Sequence, residues 1–291
     1  MHPYLLSLLL GIVEGLTEFL PVSSTAHLRI SESLLHISLT DGYWKMYSVV
    51  IQLGAILCLP YCFRSRISKF VSTFPRGERN ERTVLTHPLT LVLIAFFVTA
   101  IPSFLLTKTI GKHLESLYVM GISLVVGGVI MWIVDAMFGP APAGSRHKTE
   151  TMEEVSTLQA IWIGFCQIFS AVFPGTSRSM STISAGQLAG MSRPSALEFS
   201  FFLSMPTMGA ATLYELYKTL HARAGETALG RMPVNSQEWM VLLIGFLVSF
   251  FVALAVVGWF MNWVRRRGFA PFAVYRIVVG AAVLFWMARG T

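Results

Sequence analysis

The chain has 291 residues, with 54% apolar and only 13% charged side chains, a formal charge of +7 and a mean hydropathy of +0.63. A globular domain in water carries roughly 25% charged residues, so this composition excludes a soluble protein and points to an all-α integral membrane protein. The positive charge falls in short clusters between apolar segments, which marks membrane orientation rather than nucleic-acid binding. Cys58, Cys62 and Cys166, all in apolar surroundings, support neither a disulfide framework nor a zinc site.

In chain order, the first apolar stretch runs from Tyr4 to Leu20 and carries Glu14 and Glu18. Met1-His2-Pro3 offers no lysine or arginine ahead of the apolar run, and no small-residue cleavage site follows it, so this helix is expected to stay in the mature protein. It is short for a bilayer and stops at Pro21. Long apolar spans are predicted at 43–63, 88–107, 117–138, 196–217, 238–261 and 271–288. A second short stretch, 161–173, stops at Pro174. Each short stretch precedes a hydroxyl-rich segment, Ser23-Ser24-Thr25 or Thr176-Ser177-Arg178-Ser179, whose backbone cannot face lipid unsatisfied. The short segments are therefore predicted to enter the membrane, break and turn back inside the protein.

Laid on itself with a shift of 153, the chain places Gly11 on Gly164, Glu14 on Gln167, Pro21 on Pro174 and Ser24 on Ser177 without a gap. Each copy precedes three long apolar helices. Three is odd, so the second copy must be inverted relative to the first. The predicted fold is two inverted-topology repeats, each a re-entrant helix pair plus three transmembrane helices. The first repeat covers 1–138, a connecting cytoplasmic loop 139–157 and the second repeat 158–291. Basic residues gather in the 64–87 loop (Arg64, Arg66, Lys69, Arg76, Arg79, Arg82) and at Arg265, Arg266 and Arg267, which sets those loops in the cytoplasm and both termini outside.

Glu14 and Glu18 lie four apart and share a helix face, with no lysine or arginine within a turn. Buried carboxylates this close need a shared positive partner, either a divalent metal or an arginine from elsewhere. Beyond the proline, Ser24 and Thr25 stand beside His27; a hydroxyl with an imidazole is the minimum for an activated nucleophile or a general acid. In the second copy Gly175 permits a tight turn, and Thr176, Ser177, Ser179 and Thr182 supply hydroxyls. With the Arg178 fork they form an anion cradle. Arg178 can also serve as partner of Glu14 or Glu18, and both roles can hold at once; Arg193 could reach a phosphate or pair with Glu198, and Tyr275-Arg276 suits structural support. Acids for a metal, an activated hydroxyl and an anion loop inside a bilayer are the parts of phosphoryl transfer on a lipid phosphate.

The segments Glu14-Gly-Leu-Thr-Glu18-Phe-Leu-Pro21-Val-Ser-Ser24-Thr25-Ala-His27 and Pro174-Gly-Thr-Ser177-Arg178-Ser179, with Val50-Ile-Gln52-Leu-Gly54 and Glu198-Phe-Ser-Phe, resemble the signatures of the bacterial undecaprenyl-diphosphate phosphatase family, also called the bacitracin-resistance protein family. One departure is Ala26, where that family usually has glycine. The resemblance implies hydrolysis of undecaprenyl diphosphate to the monophosphate, an inner-membrane protein with its site open to the periplasm, frequent homodimerisation, and dependence on Mg2+ or Ca2+. It also implies catalytic roles for Glu14, Glu18, Ser24, His27 and Arg178, with Glu14 and Glu18 at the metal. The inverted-repeat architecture equally serves an isoprenyl-phosphate flippase or an ion-coupled transporter, which would not need Ser24 and His27 beside two acids.

Overall fold

A computed structural model describes residues 2–38, 41–78, 81–106, 116–139, 148–221 and 230–289. Among them the chain is helical, with a lone parallel bridge between Thr149 and Met191. Helix α1 spans Pro3–Thr17, α2 Ser24–Leu34, α3 Gly42–Ile56, α4 Cys58–Cys62, α5 Arg64–Ser72, α6 Pro88–Leu105 and α7 Leu117–Phe138. After a short 3-10 turn at Met152–Glu154 come α8 Thr157–Val172, α9 Arg178–Leu188, α10 Arg193–Leu220, α11 Ser236–Arg267 and α12 Ala270–Arg289.

The starts follow from local sequence. Asp41 accepts from the amides of Tyr43 and Trp44, and His87 caps α6 ahead of Pro88. Ser156 and Gln159 form a reciprocal capping box at α8. Ser192 and Asn235 cap α10 and α11.

Among the described residues, five segments are long and apolar enough to cross a membrane: Gly42–Cys62, Pro88–Leu105, Leu117–Phe138, Ser236–Arg267 and Ala270–Arg289. The chain is a multi-pass membrane protein. The sixth predicted span, 196–217, lies within α10, which has the length but not the apolarity. Its Ser195, Ser200, Ser204 and Thr212 are buried, so its polar side faces the protein interior. The 64–87 loop is part helix, since α5 continues beyond the first span. In the 139–157 connection, residues 140–147 lie outside the described residues.

The short helices are packed by close backbone approach. A Cβ on Gly11 would stand 2.9 Å from the Gly245 carbonyl of α11, and one on Gly164 2.5 Å from the Ala95 carbonyl of α6. Thr99 Oγ1 also donates to the Gly164 carbonyl at 2.7 Å. In a bilayer, association rests on such small-residue contacts and on polar cross-links, because lipid is as apolar as leucine. Helix α1 thus packs on α11 and α8 on α6, while α7 packs along α12 and α3 meets α10 and α11. A buried latch secures one end: Arg193 donates to both carboxylate oxygens of Asp135, at 2.8 and 3.0 Å, and Gln187 and the Phe269 amide also donate to that carboxylate. Arg193 therefore does not pair with Glu198, one of the two roles expected for it; Glu198 pairs with Arg66 instead, at 2.8 Å.

Candidate active site

Both short helices break as predicted, and both breaks resume through a serine with left-handed backbone. Ser23 (φ +73°) caps α2 and Ser177 (φ +73°) caps α9, each accepting an amide three residues on. Counted from the proline to the capping serine, the second turn is one residue longer, with Gly175 (φ +92°) adding a left-handed step that the first turn lacks. A Cβ there would meet the Met120 backbone at 2.8 Å. The ungapped self-alignment consequently slips by one at the turns. Ser23 corresponds to Ser177 and Ser24 to Arg178, so a hydroxyl on one arm and a guanidinium on the other occupy equivalent first-helical positions.

A cleft of about 130 Å3 lies between the turns, lined by Glu18, Ser23, Ser24, Thr25, Gln52, Ser170, Gly175, Ser177, Arg178 and Met208, among others. Two helices begin at its wall, and their first amides and dipoles favour an anion there. Arg178 donates to Glu18 Oε1 at 3.2 Å and to the Ser200 carbonyl at 3.3 Å. Ser24 Oγ donates to Glu18 Oε2 at 2.5 Å, and Gln52 approaches the same oxygen at 3.5 Å. Glu14 is fully buried one turn behind Glu18, and neither of its oxygens has a hydrogen-bond partner among the described residues.

Other candidate residues stand behind this wall. Ser179 Oγ donates to the Leu20 carbonyl at 3.0 Å and lies 3.1 Å from Ser177 Oγ, tying the second turn to the first. Thr182 is buried, donating to the Arg178 carbonyl and meeting Ser200 Oγ at 2.7 Å. Thr176 contributes its carbonyl, which Arg276 holds. His27 directs Nδ1 at the Ser23 carbonyl, 2.8 Å, and Nε2 at the Tyr275 hydroxyl, 2.8 Å. The hydroxyl of Ser24 is thus bonded to Glu18, while both His27 ring nitrogens are engaged elsewhere.

Arg276 carries more than its sequence context suggests. Fully buried, it donates to the carbonyls of Pro21, Ser123, Gly175 and Thr176 at 2.9–3.1 Å, so one side chain fastens both breaks. The signal was a lone arginine in an apolar span, which membrane insertion tolerates only when the charge is bonded inside the protein. Ser170, Met208 and Ser200, which complete the surroundings, gave no comparable signal.

A larger cleft of about 480 Å3 lies between α5 and the 150–154 segment. It is charged on both signs and cross-linked internally, with Arg66 bound to Glu153 and Glu198 and Lys69 to Glu78. Arg66 and Lys69 are thus neutralised by acids of the same cleft, as Arg178 is by Glu18 in the small one.

The fold and this cleft define a multi-pass membrane protein with a carboxylate, a hydroxyl and a guanidinium joined where two helix breaks meet. Residues 7–282 match the family model described as bacitracin resistance protein BacA. The chain belongs to that family. It is 65% identical to an undecaprenyl-diphosphatase of Koribacter versatilis, over 99% of this chain and all of the relative. It is 41% identical to an undecaprenyl-diphosphatase of Caldanaerobacter subterraneus, over 97% of this chain and 95% of the relative, and 40% identical to undecaprenyl-diphosphatase 2 of Paramagnetospirillum magneticum, over 97% and 98%.

Proposed function

We propose that the protein is a membrane phosphatase that hydrolyses undecaprenyl diphosphate to undecaprenyl phosphate and inorganic phosphate, recycling the lipid carrier for peptidoglycan synthesis and so conferring bacitracin resistance. The observation that carries this reading is the Arg178–Glu18–Ser24 chain of contacts at the cleft, with the family's names consistent with it. Arg178, the first amides of α2 and α9, and Ser177 bind the diphosphate oxygens. Ser24 Oγ attacks the terminal phosphorus and gives its proton to Glu18 Oε2. The bond to the bridging oxygen breaks, and the lipid monophosphate leaves. Water then attacks the phosphoserine phosphorus, Glu18 returns its proton to the departing Ser24 oxygen, and inorganic phosphate leaves carrying the water oxygen and its protons.

The donor set also fits a hard divalent cation. Glu14 offers two buried, unpartnered oxygens and Glu18 adjoins it, so these two would hold Mg2+ or Ca2+, with Glu18 Oε1 exchanging Arg178 for the ion and Oε2 left to Ser24. Among the described residues no group of three or more His, Cys, Asp or Glu comes together, which suits an ion whose remaining positions are water and phosphate oxygens. When bound, the ion supplies charge neutralisation on the diphosphate.

The reading places the chain in the bacterial inner membrane as two inverted repeats, 1–138 and 158–291, joined by a cytoplasmic connection. The cleft opens to the periplasm and the protein forms a homodimer. Support for the inversion comes from the reciprocal packing of α1 on α11 and α8 on α6, and from the matched serine caps. The test is phosphate release from undecaprenyl diphosphate by the purified protein in detergent. Ser24→Ala should reduce the rate by at least about 10^3-fold with the protein still folded; near-normal release would remove Ser24 from the chemistry. A parent protein that moves the lipid across vesicles without releasing phosphate would replace this reading with a flippase.

A further inference from the structure

The serine turn that presents Ser24 is held from one side by an imidazole, and that imidazole is held in turn by a distant tyrosine. A carbonyl can only accept, so the 2.8 Å contact of His27 Nδ1 with the Ser23 carbonyl fixes the ring proton on Nδ1. In the neutral ring the other nitrogen, Nε2, then accepts from the Tyr275 hydroxyl at 2.8 Å, and the two rings stack with centroids 5.5 Å apart and planes 11° from parallel. The Ser23 carbonyl also receives the His27 backbone amide at 3.2 Å, so a single oxygen gathers both donors of one residue.

The equivalent turn of the second copy lacks this arrangement. Ser177 has the same φ and its carbonyl accepts the amide of Ser181, but position 181 has no imidazole to add a second donor. A left-handed non-glycine residue costs roughly 1–2 kcal/mol relative to ordinary backbone, so each turn needs outside support. In the second turn Arg276 holds the carbonyls of Gly175 and Thr176. In the first, Arg276 reaches only Pro21, two residues before Ser23, and the His27–Tyr275 pair supplies the rest.

We propose that Tyr275 is a positioning residue for the reaction: through His27 it clamps the Ser23 carbonyl and thereby aims the Ser24 hydroxyl at the substrate phosphorus. The role rests on the phosphatase reading, because aim matters only if Ser24 reacts. Misplacing a reacting group by about 1 Å can cost on the order of 10^2-fold in rate, so the clamp acts on turnover more than on binding. Tyr275 touches neither Glu18 nor Arg178 by any hydrogen bond described above, and its removal leaves the charged groups of the cleft in place.

Tyr275→Phe keeps the stacked ring and deletes only the hydroxyl. Loss of one hydrogen bond in the clamp should lower kcat about tenfold with KM within about twofold. In parallel, nitrogen NMR of the histidine-labelled parent, with the His27 signals assigned by their loss in His27→Gln, should show the Nδ1-protonated pattern. In Tyr275→Phe the proton should stay on Nδ1, while the Nε2 signal moves downfield as it loses its accepted hydrogen bond. An Nε2-protonated His27 in the parent overturns the clamp, as does a fall in kcat with the Nε2 signal unmoved, or a moved Nε2 signal with unchanged kcat. If the parent releases no phosphate, the phosphatase reading and the proposed aiming of Ser24 both fall, while the Nε2 shift still reports whether Tyr275 holds His27.

Discussion

Arg178 donates to Glu18 across 160 residues of sequence, at 3.2 Å, and this contact joins the two helix breaks through their functional side chains. The Glu18 side chain is 3% exposed, so the carboxylate depends on the guanidinium for compensation. Arg178→Lys keeps a charge but loses the fork, and kcat/KM should fall about 10- to 100-fold. Arg178→Gln leaves a buried acid without its cation and should also cost about 3–5 kcal/mol of stability. Thermal unfolding in detergent separates the effects: the glutamine variant should melt well below the lysine variant. Equal melting would mean the pair contributes nothing to folding.

Removing Arg276 should be felt throughout the structure. Its loss leaves the carbonyls of Pro21, Gly175 and Thr176 without this donor, while that of Ser123, inside α7, keeps its helical bond. Each such group costs about 1–3 kcal/mol, so Arg276→Met should destabilise by at least about 3 kcal/mol and lower both melting temperature and activity. Arg276→Lys should not rescue, because a single ammonium cannot reach carbonyls on both turns. A lysine variant with parental melting and turnover would contradict the tie.

The Asp135–Arg193 latch lies on α7 and α10, away from the cleft residues named above. Asp135→Ala strands the arginine, and also removes the acceptor of the Phe269 amide and of Gln187. The expected outcome is a loss of about 3–5 kcal/mol in stability, with KM unchanged in whatever fraction stays folded. A raised KM at undiminished stability would place this latch in substrate binding.

Acid should loosen the loop network before it reaches the core. Burial pushes the Glu153 carboxyl up, but the hydrogen bond and charge of Arg66, aided by Lys69, hold it below the ordinary carboxylate range. A carboxyl whose folded value is depressed contributes stability fully present above the unfolded value, about 4.3, and lost as pH falls through the folded one. The parent should therefore lose melting temperature below about pH 4, whereas Glu153→Gln should start lower at neutral pH and fall less on acidification. Parallel curves for the two proteins would show that Glu153 is not the titrating group.

Much of the architecture was legible because membranes restrict the options. Apolar length marked α7 at its observed limits, and Pro21 and Pro174 marked both breaks. Glu14, Glu18 and Arg178 were conspicuous as charges where charge is costly. Partners were harder to read. The sequence-based reading gave Arg193 a phosphate or Glu198, but the buried Asp135 carboxylate, set on another helix, has the stronger bidentate geometry. Nothing local distinguishes α10 as an interior helix, since its serines look like ordinary polar interruptions until Ser200 is seen to support Arg178 and Thr182. The extra residue at Gly175 was invisible to an ungapped comparison because it is a backbone event, not a change in side-chain type.

One mechanical consequence follows from the buried guanidinium of α12. Because it grips the carbonyl of Pro21 on one arm and those of Gly175 and Thr176 on the other, the two hairpins behave as a riveted hub rather than as opposing jaws. Met208 of α10 is the bulky apolar residue that lines the cleft beside this hub. A rocking carrier would have to break that rivet in every cycle; a hydrolase can leave it closed throughout.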